Sequence, residues 1–175
     1  MKSFTFLTLL LVFSALATSC SVSQLQFQEI EKVKTKGTGW KDNYALQPID
    51  SVAKKRNLIE FFELNRYNAD TIYHLEVTPK ALVIHFRDRL GNHHFLHYEG
   101  KLKRKCFEFY TEYETLNFPP LLMMTQKSKM QLYRQPDSSL VVRKTFDHSG
   151  MLFIIGAGNS GSYYSIFKSL SRWKK

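Results

Sequence analysis

The histidines of this sequence are the residues with the clearest potential for chemistry. Five of the six fall in three consecutive segments with the alternating pattern of β-strands: His74, His85, His93, His94 and His97. If the chain reverses at Thr78-Pro79 and at Leu90-Gly91, then His74, His85 and His94 share one face of the predicted sheet. Three imidazoles on one face could bind Zn²⁺ or Cu²⁺. Arg87 on the same face weighs against a metal, so we interpret this face as solvated and assign no metal site.

A glycine-rich run, residues 156–161, fits the G-x-G-x-x-G pattern of dinucleotide-binding loops. Such a site needs a helix and a second parallel strand after the loop, about 30 residues in all. The chain ends at Lys175, which leaves too few residues for that unit. We therefore interpret the run as a flexible hairpin loop and expect no cofactor.

No motif for hydrolysis or nucleophilic catalysis is visible, since both Gly-x-Ser-x-Gly and His-Glu-x-x-His are missing. Cys106 is the one candidate nucleophile, because the neighbouring Lys105 could lower the pKa of its thiol. We prefer a buried structural thiol. Cys20 and Cys106 are the only cysteines, which excludes a disulfide scaffold and a cysteine-based zinc site. We expect a protein that binds and does not catalyse.

The elements that would position these residues are mainly β. After Asp70, short runs of period two alternate with turn residues, which predicts an antiparallel meander of about eight strands closing as a barrel or sandwich. The predicted strands are 71–77, 82–86, 95–99, 101–113, 130–135, 139–146, 151–155 and 162–170, with a reversal at 147–150. Tyr73 and Phe95 are expected in the core. One or two short N-terminal helices are predicted, at 24–33 and from 51 to about 63.

Composition places these elements in one folded domain. Of 175 residues, 43% are hydrophobic and 14% aromatic, which excludes intrinsic disorder. The 25 Lys and Arg outnumber the 15 Asp and Glu, and the basic residues concentrate at 54–56, 101–105 and 172–175. Such charge suits an anionic membrane surface or the phosphates of lipopolysaccharide. A basic exterior that merely keeps the protein soluble remains the alternative.

The first twenty residues have the layout of a signal peptide: Lys2, an apolar stretch over 4–17, and small residues up to Cys20. As a helix the stretch would measure about 21 Å, short of the ~30 Å of a bilayer core. The segment Ala17-Thr18-Ser19-Cys20 resembles the lipobox of bacterial lipoproteins. The resemblance implies cleavage before Cys20, which would then carry a diacylglycerol thioether and an N-acyl chain. An ordinary secretory signal cut near Ala17 remains the alternative.

This resemblance sets the expected organisation: a signal peptide at 1–19, a lipidated tether or spacer at 20–48, and a single β-rich domain at 49–175. Ser21-Val22 lacks the Asp that marks inner-membrane retention in enteric lipoproteins. The resemblance therefore implies a cell-envelope protein held by acyl chains on the periplasmic face of the outer membrane. Nucleic acid is not an expected partner in that compartment.

A meander of this length behind a signal peptide is similar to the small lipocalin-like barrels of bacterial lipoproteins, some of which bind apolar ligands. Gly37-Thr38-Gly39-Trp40 departs from the Gly-x-Trp spacing of lipocalins, so no ligand residue is carried over. If the domain encloses a cavity, we expect a non-catalytic binding module for an apolar or amphipathic ligand. If the core is filled, we expect a structural or accessory lipoprotein of an outer-membrane or periplasmic assembly.

Overall fold

The computed structural model describes residues 38–52, 56–119, 121–153 and 155–171. Its strands are β1 Trp40–Asp42, β2 Tyr44–Val52, β3 Ala69–Val77, β4 Ala81–Asp88, β5 His93–Glu99, β6 Lys101–Leu102, β7 Phe107–Phe118, β8 Leu122–Arg134, β9 Leu140–Leu152 and β10 Ile155–Ser169. A helix, α1, covers Leu58–Phe61, and a 3₁₀ turn follows at Leu64–Tyr67. The predicted mainly β fold is confirmed. Cys20 and the predicted helix at 24–33 lie outside the described residues.

The strands form two antiparallel sheets. One has the order β1-β3-β4-β5 and the other the order β2-β10-β9-β8-β7-β6. Within the described ranges the two sheets share no ladder of hydrogen bonds, so no closed barrel forms. The chain passes between the sheets three times: at two tight corners, Asn43 between β1 and β2 and Gly100 between β5 and β6, and through the segment that contains α1, between β2 and β3.

The corner at Gly100 is tightly packed. The backbone N–H of Gly100 donates to the carbonyl oxygen of Lys80 at 2.9 Å. A Cβ at this position would lie 2.5 Å from the carbonyl oxygen of Glu108 and 2.5 Å from Cζ of Phe107. Only glycine therefore lets β5 turn into β6 so close to the start of β7.

The space between the sheets is filled by side chains. Leu75, Leu82 and Ile84 of the four-stranded sheet face Phe107, Leu132, Leu140, Val142 and Phe167 of the six-stranded sheet, and each is completely buried. α1 adds Leu58 and Phe61, which join the same core. Apolar side chains from both sheets and the helix thus build one hydrophobic core.

The segment before β3 differs from its prediction. Residues 40–48, expected in the tether, form β1 and the first half of β2, and β2 continues to Val52 by pairing with Tyr164 of β10. The predicted helix from 51 to 63 shrinks to α1, whose N-cap Asn57 accepts a hydrogen bond from the N–H of Glu60 at 2.7 Å. Glu63 then adopts a left-handed φ of 56°, which stops the helix.

The last four strands are longer than predicted. The reversal predicted at 147–150 is wrong, because these residues lie inside β9 and pair with both β8 and β10. The loop predicted at 156–161 is also wrong, since these residues belong to β10, and the ring of Phe146 packs against Gly161. The chain instead reverses between Leu152 and Ile155. Pairing on both sides outweighs the turn propensity of Asp, Ser and Gly.

Candidate functional site

The distal halves of β7 to β10 extend beyond the core as a single layer. We call this part the projecting sheet, and it comprises residues 110–118, 122–129, 145–152 and 155–162. Phe109 and Met130, side by side at its root, are buried. From Tyr110 to Phe118, by contrast, every side chain of β7 except Glu112 is exposed. The projecting sheet therefore has no hydrophobic core of its own.

A polar clamp marks the boundary between the core and the projecting sheet. Nζ of Lys144 in β9 lies 2.7 Å from Oε1 of Glu63, and this hydrogen bond lowers the pKa of the Glu63 carboxyl. Nη1 of Arg56 donates to the hydroxyl of Tyr163 at 2.7 Å, and the guanidinium carbon lies 4.5 Å from the ring centroid. The segment around α1 is thereby tied to two strands of the six-stranded sheet.

The face of the projecting sheet that continues the core carries polar rows and then apolar rows. Beyond the clamp, the register aligns two rows with polar members: Glu112, Ser128, Phe146 and Gly161, followed by Glu114, Gln126, His148 and Asn159. The next two rows are uncharged and mostly apolar: Leu116, Met124, Gly150 and Ala157, followed by Phe118, Leu122, Leu152 and Ile155. Charge therefore disappears over the last two rows before the turns.

These two rows and the two turns form an apolar tip. We define it by six side chains that are between 41% and 77% exposed: Leu116, Phe118, Leu121, Leu152, Phe153 and Ile155. No charged residue occurs at 115–126 or 149–167. The N–H of Leu121 donates to the carbonyl of Phe118 at 2.9 Å, and the N–H of Phe153 donates to that of Leu121 at 2.8 Å. Exposed apolar patches of this kind mark interaction sites.

Sequence reasoning missed the apolar tip. The predicted reversal at 147–150 ended the preceding strand too early. Residues 151–155 were therefore predicted as a separate strand, although they contain the turn between β9 and β10. The sequence does contain a signal for the tip: two stretches, 115–126 and 149–167, lack charged residues, and each has apolar residues on both sides of a chain reversal.

The other face of the projecting sheet is mixed near the tip. Its outermost row contains Asn117, Met123, Met151 and Gly156, and the next row contains Thr115, Thr125, Ser149 and Gly158. In the next row toward the core, Lys127 lies opposite Asp147, and its Nζ is 5.3 Å from the centroid of the exposed Tyr113 ring. At the tip, one face is therefore apolar, whereas the other combines Met123 and Met151 with amide, hydroxyl and glycine positions.

The predicted histidine trio is brought together only in part. His74 and His85 are directly paired, with ring centroids 5.7 Å apart. His94 instead pairs with Phe86 on the inner face, stacks on its ring at 5.4 Å and bonds Asp88 at 2.9 Å. The predicted register between β4 and β5 was one residue off, which moves His94 to the opposite face. In the described ranges no group of three His, Cys, Asp or Glu is placed to hold a metal ion.

The outer face of the four-stranded sheet also corrects two core predictions. Tyr73, at a β-bulge, and Phe95, paired with His85, both lie exposed on this face. Nδ1 of His74 lies 2.8 Å from Oδ1 of Asn43. Burial, together with Lys41 and His85, lowers the pKa of the His74 imidazole. This face is an aromatic and imidazole surface without the ligand set of a metal site.

Cys106 is buried on the outer side of the six-stranded sheet, as expected of a small structural side chain. It packs in a cluster with Tyr133, Val141 and Tyr164. Burial raises the pKa of the Tyr133 hydroxyl to about 12. The basic run 101–105 lies nearby in β6 and the following loop, where Nζ of Lys103 pairs with Oε1 of Glu108 at 2.5 Å.

Comparison with known proteins identifies no relative: no family model, no curated protein and no solved structure matches this chain. Among the helical residues that the structure describes, none forms a helix with the length and apolar character needed to cross a bilayer. The projecting sheet with its apolar tip is the candidate site, because it exposes six large apolar side chains beyond the core.

Proposed function

We propose that this protein is a lipid-anchored envelope protein with a structural or accessory role, and that the projecting sheet is the surface through which it contacts another envelope component. The observation that carries the proposal is the apolar tip, in which six large apolar side chains are exposed on a sheet that extends beyond the hydrophobic core. The anchor is proposed from the lipobox resemblance at Cys20.

The core favours this role over the binding of a ligand inside a barrel. Large side chains from both sheets and from α1 fill the interior, including Phe61, Phe107 and Phe167. An apolar guest of ordinary size needs a pocket of roughly 300–1,000 Å³. Room of that size between the sheets would require several of these side chains to move.

The first test concerns the anchor. The full-length protein is produced in a bacterium, extracted from the membrane fraction in mild detergent and weighed under denaturing conditions. The proposal expects a chain that begins at Cys20 and carries acyl groups. A mature chain that begins before Cys20, or one with an unmodified Cys20, contradicts the anchor.

The second test concerns the tip. A photo-crosslinking amino acid replaces Phe118 in one variant and, as a matched control, the highly exposed Leu90 of the β4–β5 turn in another. After irradiation of intact cells, we expect adducts from position 118 with a defined envelope component, lipid or protein, and none with it from position 90. Equal labelling from both positions would contradict a specific contact by the tip.

A further inference from the structure

We propose that the apolar tip inserts shallowly into the lipid bilayer that holds Cys20, and so provides a second membrane attachment. This inference rests on the proposed function and names the component that the projecting sheet contacts.

The depth of the uncharged rows fits a shallow insertion. Leu116 and Phe118 are two residues apart on β7, which corresponds to about 7 Å along the strand. Interfacial elements bury their apolar faces about 5–10 Å into the boundary between headgroups and acyl chains. The first charged side chain, Glu114, follows about 14 Å from the end of the strand. A strand that spans a bilayer needs about 9–11 residues, and the row of Glu114 and His148 interrupts any such band.

Backbone hydrogen bonding sets the same limit. Unsatisfied N–H and C=O groups are strongly disfavoured in hydrocarbon. At the tip, β8 and β9 are paired on both sides, and the turns are closed by the bonds at Leu121 and Phe153. The outer edges are open within the described ranges, because β2 pairs with β10 only from Tyr164 onward and β6 pairs only with the first two residues of β7. Because these open edges run to the tip, every further row that enters hydrocarbon adds unpaired backbone groups, which limits insertion to the turns and the last rows.

The side chains behind the tip suit the headgroup region. Tyr113 is more than half exposed, and tyrosines are enriched at membrane–water interfaces. Lys127 lies beside Tyr113 on the same outer face. Its long side chain can keep the ammonium group among lipid phosphates while the tip is inserted.

The tether leads to the opposite end of the domain and is long enough for one bilayer to serve both attachments. β10 runs from Ile155 at the tip to Ser169, which pairs with Tyr44 beside the first corner, and it measures roughly 45 Å. From Cys20 to Thr38, the first described residue, about 18 residues extend to at most roughly 60 Å. The domain can therefore stand with its tip in the bilayer while the tether reaches back from the far end, so that the acyl chains and the tip share one membrane.

The test places a tryptophan at the tip of the full-length, acylated protein. Phe118→Trp and Phe153→Trp are compared with Leu90→Trp, an exposed turn position outside the projecting sheet, and the signal of the wild-type tryptophans is subtracted. The proteins are reconstituted into vesicles of phosphatidylethanolamine and phosphatidylglycerol that contain lipids brominated at shallow or deep acyl positions. Circular dichroism verifies that each variant is folded.

We expect quenching at positions 118 and 153 at least threefold above that at position 90, and stronger with shallow than with deep bromines. Adding Phe118→Ser and Ile155→Ser to the Phe153→Trp protein should remove most of the quenching, whereas adding Leu90→Ser should leave it unchanged. Quenching at the tip no greater than at position 90 would overturn the inference.

The outcome also separates this inference from the proposed function. If the tip tryptophans are not quenched but native mass spectrometry shows a dimer that the serine substitutions dissociate, the tip binds a second copy, and the bilayer is excluded as its partner. If the tip is unquenched and the crosslinks from position 118 match those from position 90, both the inference and the proposed contact surface fail.

Discussion

Replacing Gly100 with alanine tests how the two sheets are joined. Gly100 lies at the corner between β5 and β6, and its φ is not in the left-handed region. Conformational freedom is therefore not the reason for glycine here. The reason is space, because a Cβ would lie 2.5 Å from the carbonyl oxygen of Glu108 and 2.5 Å from the ring of the fully buried Phe107.

The size of the effect follows from these two contacts. A carbon and a carbonyl oxygen meet at about 3.3–3.6 Å, so the corner or β7 must move by roughly 1 Å. The ring of Phe107 is surrounded by other core side chains, so it cannot move far enough to relieve the contact. Overpacking of this kind costs about 1–3 kcal/mol, and we expect Gly100→Ala to fall near 2–3 kcal/mol. In a domain of this size that lowers the midpoint of thermal unfolding by roughly 4–12 °C.

Gly156→Ala is the matched control. A Cβ at Gly156 meets nothing closer than the carbonyl oxygen of Gly150 at 3.6 Å. Because alanine reduces the freedom of the unfolded chain, this variant should be unchanged or stabilised by about 0.4–1 kcal/mol. Urea unfolding of both variants, followed by circular dichroism, measures the difference in the free energy of unfolding. Equal stability of the two variants would refute the steric account of the corner.

Three further predictions concern pH, each measured as the urea or thermal midpoint against pH. Hydrogen bonds from His94 and Asn92 hold the pKa of Asp88 well below its usual range, so Asp88→Ala should destabilise at pH 7 and progressively less as the pH falls below about 4; an unchanged difference at pH 3 would contradict this. The lowered pKa of His74 makes the folded state less stable as the pH falls from 7 toward 5, so His74→Gln should flatten that slope, and an identical slope would argue against it. The pKa of Tyr133 is raised to about 12, so its hydroxyl contributes stability that is complete below about pH 10 and lost as the pH rises toward 12. Tyr133→Phe should therefore reduce the loss of stability over this pH range, and an unchanged loss would contradict the raised pKa.

The sequence predicted β3, β4 and β5 of the four-stranded sheet well, because alternation and turn residues coincide there. The 3₁₀ turn ends at Tyr67, and β3 follows at Ala69, close to the predicted start at residue 71. The register could not be predicted as closely. The turn between β3 and β4 closes on Pro79-Lys80, where Thr78 and Ala81 exchange hydrogen bonds, and not on Thr78-Pro79. Shifts of one or two residues decide which histidines meet, and nothing in local sequence fixes them.

The projecting sheet was harder to predict, because its strands are held by neighbours and not by their own pattern. Asp147, Ser149 and Gly150 look like a turn, yet each is paired on both sides in β9. The apolar tip becomes visible only when residues 147–150 are placed inside β9, because residues 151–153 then lie at and just after the end of that strand. The partners of Asp147, Ser149 and Gly150 lie on other strands, 20 to 26 residues away on β8 and 7 to 13 residues away on β10, and a prediction made segment by segment does not include them.

The pairing of β2 with β10 has a consequence for the order in which the chain folds. Tyr44 and Ser169 are neighbours in the sheet although roughly 120 residues separate them in the chain, and contacts of such separation form late because a long loop must close first. The hairpins of β7 to β10 are local and can form early. A chain synthesised from its N-terminus therefore holds β2 without a partner until β10 has been made. Loss of residues 164–171 should leave the sheet edge of β9 and the first corner unprotected, a species prone to aggregation.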